Sequence, residues 1–315
     1  MYIGIDLGGT NIAAAFVDSD GKIHKRTSIH TETGGGAKAV VDGLVQVCET
    51  LLCDSSEELL MIGIGVPGTV NDETGEIVFT PNLPLRRIGV ARDLSKRFSC
   101  PVHLGNDANC AALGETIAGG AKGAQDVVFL TLGTGIGGGI ILGGRLHTGI
   151  SGAASELGHI VIHAGGRKCG CGRQGCWETY ASATGLIRTA MEFMGTHPDS
   201  MLWELCEGLA ERIDGRAVFS AFRAGDQAAK LAVDQYIEHL GAGIVSIINL
   251  LEPELVCIGG GLSHNWDCLQ EPLQKMVEEE KYFRFSPEAP QTKIVKAVLG
   301  NDAGIIGAAL LAAGG

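Results

Sequence analysis

Short apolar runs alternate along the chain with longer mixed stretches, and nearly every apolar run stops at glycine or a polar residue. Two of them resemble each other. YIGIDLGGTNIAAAFVD (2–18) and VVFLTLGTGIGGGIIL (127–142) each read as an apolar strand, a turn rich in Gly and Thr, and a second apolar strand. Three further runs end in a turn: LLMIGIGVPGTV (59–70), CPVHLGNDAN (100–109) and ELVCIGGGLS (254–263). Helical spacing is expected near 38–53, 91–98, 109–119, 184–194, 227–250 and 302–313. Strands interleaved with helices predict α/β layers. A similar hairpin at the head of each half predicts two related lobes with a cleft between them. The last helix should open at Asn301 or Asp302 as N-cap, and its weak amphipathicity suits packing on either lobe. GGG at 34–36 marks the loop between the first strands and the first helix.

Composition narrows the class. Of 315 residues, 45% are apolar, enough for a large core, and 48 are glycines that follow no collagen period and form no linker tract. Most lie where strands end, which implies tight turns and close backbone approach. A formal charge of −12 argues against a nucleic-acid surface, but not against an anionic ligand bound by backbone N–H groups. A strand pattern beginning at residue 2 leaves no room for a signal peptide, and no uncharged run is long enough to span a bilayer. A cytoplasmic protein is expected. Its ten cysteines then read as reduced, with Cys48, Cys110 and Cys257 in apolar stretches as core residues.

Cys169, Cys171 and Cys176 are different: three thiols within CGCGRQGC. His159, ten residues before the first, completes a Cys3His set suited to tetrahedral zinc, with His163 competing for the fourth place. The C-x-C-x4-C spacing is not that of a standard finger, a redox C-x-x-C is absent, and four ligands leave no open position, so such a zinc would be structural. It would also fix Glu178, two residues after the last thiol, and Glu156, three residues before His159.

Phosphate chemistry is suggested elsewhere. Asp6 ends a buried strand and precedes Gly8, Gly9, Thr10 and Asn11, so its carboxylate can reach a magnesium ion through water while the glycine amides approach phosphate oxygens. An ordinary hairpin turn explains the same residues. TLGTGIGGG, with Gly133, Thr134, Gly135, Gly137 and Gly138, repeats the logic without matching a Walker A loop. Gly259, Gly260 and Gly261 follow a strand and suit a flat nucleoside, or form a plain strand-to-helix turn. Asp107 opens a helix and is either its cap or a general base that accepts a proton from a substrate hydroxyl; Asn106 beside it offers an amide to a sugar.

Taken together, GIDLGGTN, GIGVPG, PNLP, NDAN, TLGTGIGGG, ELGH, CGCGRQGCWETYASATG and IGGG resemble the ROK sugar kinases, in family order and over nearly the whole chain. The resemblance implies an α/β, two-lobed actin-like ATPase (ribonuclease H-like) fold with a zinc-stabilised loop. It places a smaller N-terminal lobe at 1–118 plus 301–315 and a larger C-terminal lobe at 119–300. The lobes would close on ATP, Mg2+ and a hexose. Asp107 would deprotonate the sugar 6-hydroxyl, and Asn82, Asn106, Glu156, His159 and Glu178 would hold the other hydroxyls, His159 also binding zinc through its other ring nitrogen. The turns at 8–11 and 133–138 would face the ATP phosphates, and Gly259 to Gly261 the adenosine. CWETYASATGL is similar to the glucose-phosphorylating bacterial members, which implies glucose 6-phosphate as product. Fructose, allose, N-acetylmannosamine and N-acetylglucosamine are alternative substrates, and a non-catalytic sugar sensor is an alternative role. The family's repressors add a helix-turn-helix before the first hairpin, which here starts at residue 3. Small-molecule sugar and ATP are thus the expected partners, with no nucleic acid, no membrane, and a homo-dimer or tetramer as assembly.

Overall fold

The computed structural model describes residues 1–53, 55, 57–283 and 290–311. The first elements are β1 (Tyr2–Leu7), β2 (Asn11–Val17), β3 (Ile23–His30), α1 (Gly36–Leu52), β4 (Met61–Val66), β5 (Thr69–Asn71), β6 (Glu76–Phe79) and β7 (Arg86–Ile88). Next come α2 (Val90–Phe98), β8 (Val102–Asn106), α3 (Asp107–Ala118), β9 (Val127–Leu132), β10 (Ile136–Leu142) and β11 (Arg145–Leu146). The remainder is mostly helical: α4 (Glu178–Ala181), α5 (Ala183–Met194), α6 (Leu202–Leu205), α7 (Gly215–Arg223) and α8 (Gln227–Leu251). Then β12 (Leu255–Gly259), α9 (Trp266–Glu280), β13 (Lys293–Lys296) and α10 (Asp302–Ala309) complete the chain. Two five-stranded sheets run in the orders β3-β2-β1-β4-β8 and β11-β10-β9-β12-β13, and β5-β6-β7 form a third.

The chain divides into two compact units, Met1–Phe129 with Gly138–Ser155 and Ala297–Gly315, and Leu130–Gly137 with Glu156–Lys296. These boundaries differ from the expected 1–118 plus 301–315 and 119–300. Local bonds explain the additions to the first unit. Gly144 N–H donates to the Gln125 carbonyl and Gly143 N–H to Asp126. The buried Glu115 carboxylate collects the N–H groups of Gly120, Val298 and Leu299 at 2.7–3.1 Å, which ties the segment before α10 to the end of α3. Residues 312–315 of the expected N-terminal lobe lie outside the described residues.

In the first unit β1 pairs antiparallel with β2 and parallel with β4, and β4 pairs parallel with β8. The register sets Asp6 opposite Gly65, and Gly65 opposite Gly105, so the carboxyl ends of the three parallel strands align. That is where ligands gather in open α/β sheets. Beneath them α10 lies backbone to backbone on its neighbours. A methyl group at Gly4 or Gly63 would run into the carbonyls of Ile305 or Ala308, and one at Gly114 or Gly307 into those of Ala303 or Cys110. This burial on all sides accounts for the weak amphipathicity of α10. The expected cap is not formed. Asn301 has helical dihedrals and makes no side-chain cap bond, while Asp302 pairs with Arg26 at 3.0 Å. The helix ends at Ala309, and positions 312–313 of the expected span lie outside the described residues.

The second unit is built on the 25-residue α8, which begins at Asp226 accepting the Ala229 N–H. Trp177 is fully buried against it: a methyl at Gly243 would meet the indole, and the indole N–H donates to the His239 carbonyl at 2.8 Å. β3, α7 and α9 were not apparent from periodicity. β3 carries the polar sequence IHKRTSIH, α7 opens on glycine, and α9 contains Pro272. No helix among the described residues is long and apolar enough to cross a membrane.

Candidate active site and metal centre

At the carboxyl end of the first sheet, the last residue of β8 and the first of α3 divide two tasks that the sequence left open for Asp107. Asn106 is the cap: its side-chain oxygen accepts the N–H groups of Ala108 and Asn109 at 3.0 and 3.2 Å. Its amide nitrogen donates to the Gly68 carbonyl at 3.2 Å, which leaves one amide proton for another partner. Asp107 is the first helical residue, and one of its oxygens accepts the Ala108 N–H at 2.9 Å. The helix dipole favours an anion at that position. Asp6 lies close enough to feel it. Burial first, and the Asp107 charge second, push the Asp6 carboxyl up to about 6. A cation held there would relieve both effects, and a carboxylate at a strand end is the donor type that magnesium takes.

The turn after Asp6 is held from within. Gly8 N–H donates to the Asn11 carbonyl at 2.9 Å, and the Thr31 hydroxyl donates to the Gly8 carbonyl at 2.8 Å. Gly9, Thr10 and Asn11 are exposed, and open space surrounds the Gly9 α-carbon. In the same unit Asn82 lies exposed in a loop whose course is set by the Thr80 hydroxyl, bonded to the carbonyls of Leu83 and Leu85.

In the second unit the β9–β10 turn is narrower than its glycine content suggests. It comprises Gly133, Thr134 and Gly135, while Gly137 and Gly138 lie in β10, Gly138 buried. The turn rests on the α4–α5 junction: Ala183 N–H donates to the Gly133 carbonyl and the Thr184 hydroxyl to the Thr134 carbonyl, at 2.9 and 2.8 Å. Gly259 ends β12 buried, and Gly260 takes φ +83°, where a side chain would also strike the Leu132 backbone. Gly261 is exposed and opens a short 3-10 helix.

The four expected metal ligands converge. One ligand atom from each of His159, Cys169, Cys171 and Cys176 lies within 4.8 Å of every other. His159 Nδ1 is 3.6 Å from Cys169 Sγ, and Cys171 and Cys176 sulfurs are 3.6 Å apart. Ligands on a tetrahedral zinc with 2.3 Å bonds stand roughly 3.8 Å apart, so the set fits that ion. His163 is outside the group and instead packs against Tyr180 and His239. A 3-10 turn, Leu157–His159, brings Glu156 to the free side of the imidazole, with its carboxylate 4.0 Å from Nε2. Glu178 closes the other side, 3.0 Å from Cys169 Sγ and 3.5 Å from His159 Nδ1. It also abuts the β9–β10 turn, since a methyl at Gly135 would strike its carboxylate. Nδ1 therefore faces the thiols while Nε2 is turned toward Glu156. The side chains of Arg167, Tyr180 and Thr184 hold this arrangement; Tyr180 and Thr184 lie within CGCGRQGCWETYASATG without a role of their own in the sequence, and the signal for Arg167 was its place two residues before Cys169.

A strand-end carboxylate pair and a Cys3His loop flanked by two glutamates belong to one class of protein: the ROK family profile matches residues 2–314, and the chain belongs to that family. It is 38% identical to a glucokinase of Streptomyces coelicolor over 99% of this chain and 97% of that one. It is also 38% identical to a glucokinase of Thermotoga maritima, over 98% and 95% respectively. The crystal structure of a ROK family glucokinase from Streptomyces griseus in complex with glucose and AMPPNP superposes with a TM-score of 0.80, at 35% identity over 100% and 99% of the two chains. The fold is that of ROK kinases.

Proposed function

We propose that this protein is a glucokinase that transfers the γ-phosphoryl group of ATP to the 6-hydroxyl of glucose, giving glucose 6-phosphate and ADP. The observation that carries the reading is the double use of His159, with Nδ1 toward the three thiols and Nε2 toward Glu156, Glu178 lying on the thiol side. A zinc ion there would order carboxylates and an imidazole, the groups that hold sugar hydroxyls. Its chemistry is structural, because four protein ligands leave no open position. The 38% identity to glucokinases over nearly the full chain supports glucose as the acceptor.

In this mechanism Asp107 accepts the proton of the 6-hydroxyl as that oxygen attacks the γ-phosphorus and the bond to the bridging β-oxygen breaks. Asn82, Asn106, Glu156, His159 and Glu178 orient the remaining hydroxyls. Asp6 would hold Mg2+ through water, and that ion neutralises phosphate charge when bound. The amides of Gly9 to Asn11 and of Thr134 and Gly135 would cradle the phosphates, in turns shaped by the internal bonds of Gly8 and Gly133 and supported by Gly137 and Gly138, and Gly259 to Gly261 would lie against adenosine. The protein acts in the cytoplasm as a dimer or tetramer, on small molecules alone. Phosphoryl transfer needs positioning and charge stabilisation more than covalent help, and this residue set supplies both.

The test is ADP release from ATP–Mg2+ with a panel of hexoses. Rapid release with glucose, and little with fructose, allose or the N-acetylhexosamines, is expected. Preference for another hexose would keep the chemistry and overturn the substrate. No release with any sugar, in protein that binds sugar and zinc, would favour a sensor.

A further inference from the structure

The loop that bears the thiols contains few apolar residues, so something other than a core must hold it against its unit. Arg167, two residues before Cys169, makes the largest set of contacts. Its guanidinium donates to the Thr179 carbonyl (3.0 Å), the Thr189 hydroxyl (3.0 Å) and the Glu192 carboxylate (2.9 Å). The same group lies over the Tyr180 ring, 4.8 Å from its centre. Its backbone takes part as well. The Arg167 N–H donates to the Tyr180 hydroxyl at 2.7 Å, and its carbonyl accepts the Gly175 N–H at 2.8 Å, next to the last thiol. The side chain is only 11% exposed.

We propose that Arg167 is a positioning residue, the strut that sets the metal loop and Glu178 in their working places by clamping that loop to α4 and α5. The clamp spans the whole local assembly. Thr179 follows Glu178 directly, Thr189 and Glu192 lie on α5, and α5 begins with the two residues that bond the β9–β10 turn. Tyr180 is also packed against His163 and His239, with ring centres 4.8 and 4.9 Å away. Only a planar guanidinium serves all these partners at once. A lysine places one point charge on a flexible stem and reaches a part of them. The proposal rests on reading the thiols as a zinc site and Glu178 as a sugar ligand.

The test compares Arg167→Met, which keeps the stem and removes the donors, with Arg167→Lys, using the full-length zinc-loaded protein. Zinc affinity is read by competition with a chromogenic chelator, and KM for glucose separately from kcat. Loss of a residue that orders ligands from outside the coordination shell lowers metal affinity by about 10- to 100-fold. Arg167→Met should therefore show that loss with a raised glucose KM, while kcat at saturating sugar changes far less. Arg167→Lys should recover part of both. Wild-type zinc affinity and KM in Arg167→Met would overturn the proposal, as would an equal fall in kcat with KM unmoved. If that variant does not fold, Thr189→Val and Glu192→Gln decide, each expected to weaken zinc in the same direction by a smaller factor. Unchanged zinc affinity in both would overturn it. Wild-type protein inactive on glucose would remove the substrate reading, while the chelator competition would still judge Arg167.

Discussion

The residue proposed as the base is separated from the residue that carries the local fold by a single peptide bond. Asn106 caps α3, so Asp107 can be altered without unseating the helix. Asp107→Asn should lower kcat by about 10²- to 10⁴-fold, the usual contribution of a general base, with glucose affinity near wild type by calorimetry. Near-normal turnover would remove Asp107 from that role. If Asp6 holds Mg2+ as proposed, it sets the acid side of the pH profile. With its carboxyl at about 6, it loses its charge as pH falls through that value, and a neutral acid cannot hold magnesium. Affinity for Mg–AMPPNP should fall about tenfold per pH unit below roughly 6. In Asp107→Asn the fall should begin at lower pH, because one of the two causes is gone. An unmoved midpoint would mean that Asp107 does not act on Asp6. At this scale the metal ligands were legible because coordination chemistry restricts which residue types recur at short spacing. The division of labour between Asn106 and Asp107 was not legible, since both types serve as caps.

The elements most readily read from the chain are those whose faces are sorted by burial. β1, β2, β4 and β8 to β10 follow from apolar runs closed by turns, and α1, α5 and α8 from helical spacing. β3 escaped because a polar sheet strand lacks the apolar run used to find strands, and α9 because a proline inside it breaks the expected pattern. The packing of α10 was illegible for another reason. Its close approach depends on glycines in other elements, Gly4, Gly63 and Gly114, together with its own Gly307, so little of the information lies in an apolar stripe along the helix. Gly63→Ala tests that reading. The added methyl meets the Ala308 carbonyl, a backbone atom that cannot rotate away, so the first unit should lose about 1–3 kcal/mol in urea unfolding. Gly9→Ala, in open space, serves as the control for glycine substitution. Equal stability in the two variants would mean that α10 lies farther from the sheet than its carbonyls indicate.

Across the whole molecule the two units carry partly buried titrating groups with opposite effects on stability. Asp6, in the first, is raised from 3.8 to about 6, mainly by burial. A folded-state carboxyl held above its unfolded value binds its proton more readily when folded, so its contribution to stability is lost as pH rises from about 3.8 to about 6. His239, in the second, is lowered from 6.5 to about 4, by burial first and then by the charges of His163 and Arg167. Here the unfolded chain binds the proton more readily, so stability is lost as pH falls from about 6.5 to about 4. A bound metal would add its own pH dependence to the second unit, because its ligands must be deprotonated to hold it. Acidification from pH 6.5 to 4.5 should therefore weaken the second unit while favouring the first. Amide hydrogen exchange across that range resolves the two. Protection in α8 should fall while that in β1 and β4 rises, once metal has been removed from every sample. His239→Gln should flatten the change in α8 alone, and Asp6→Asn should alter only that in β1 and β4. A parallel fall in both units that neither substitution changes would show that these two groups do not govern the response, and that the acidic surface behind the −12 charge does.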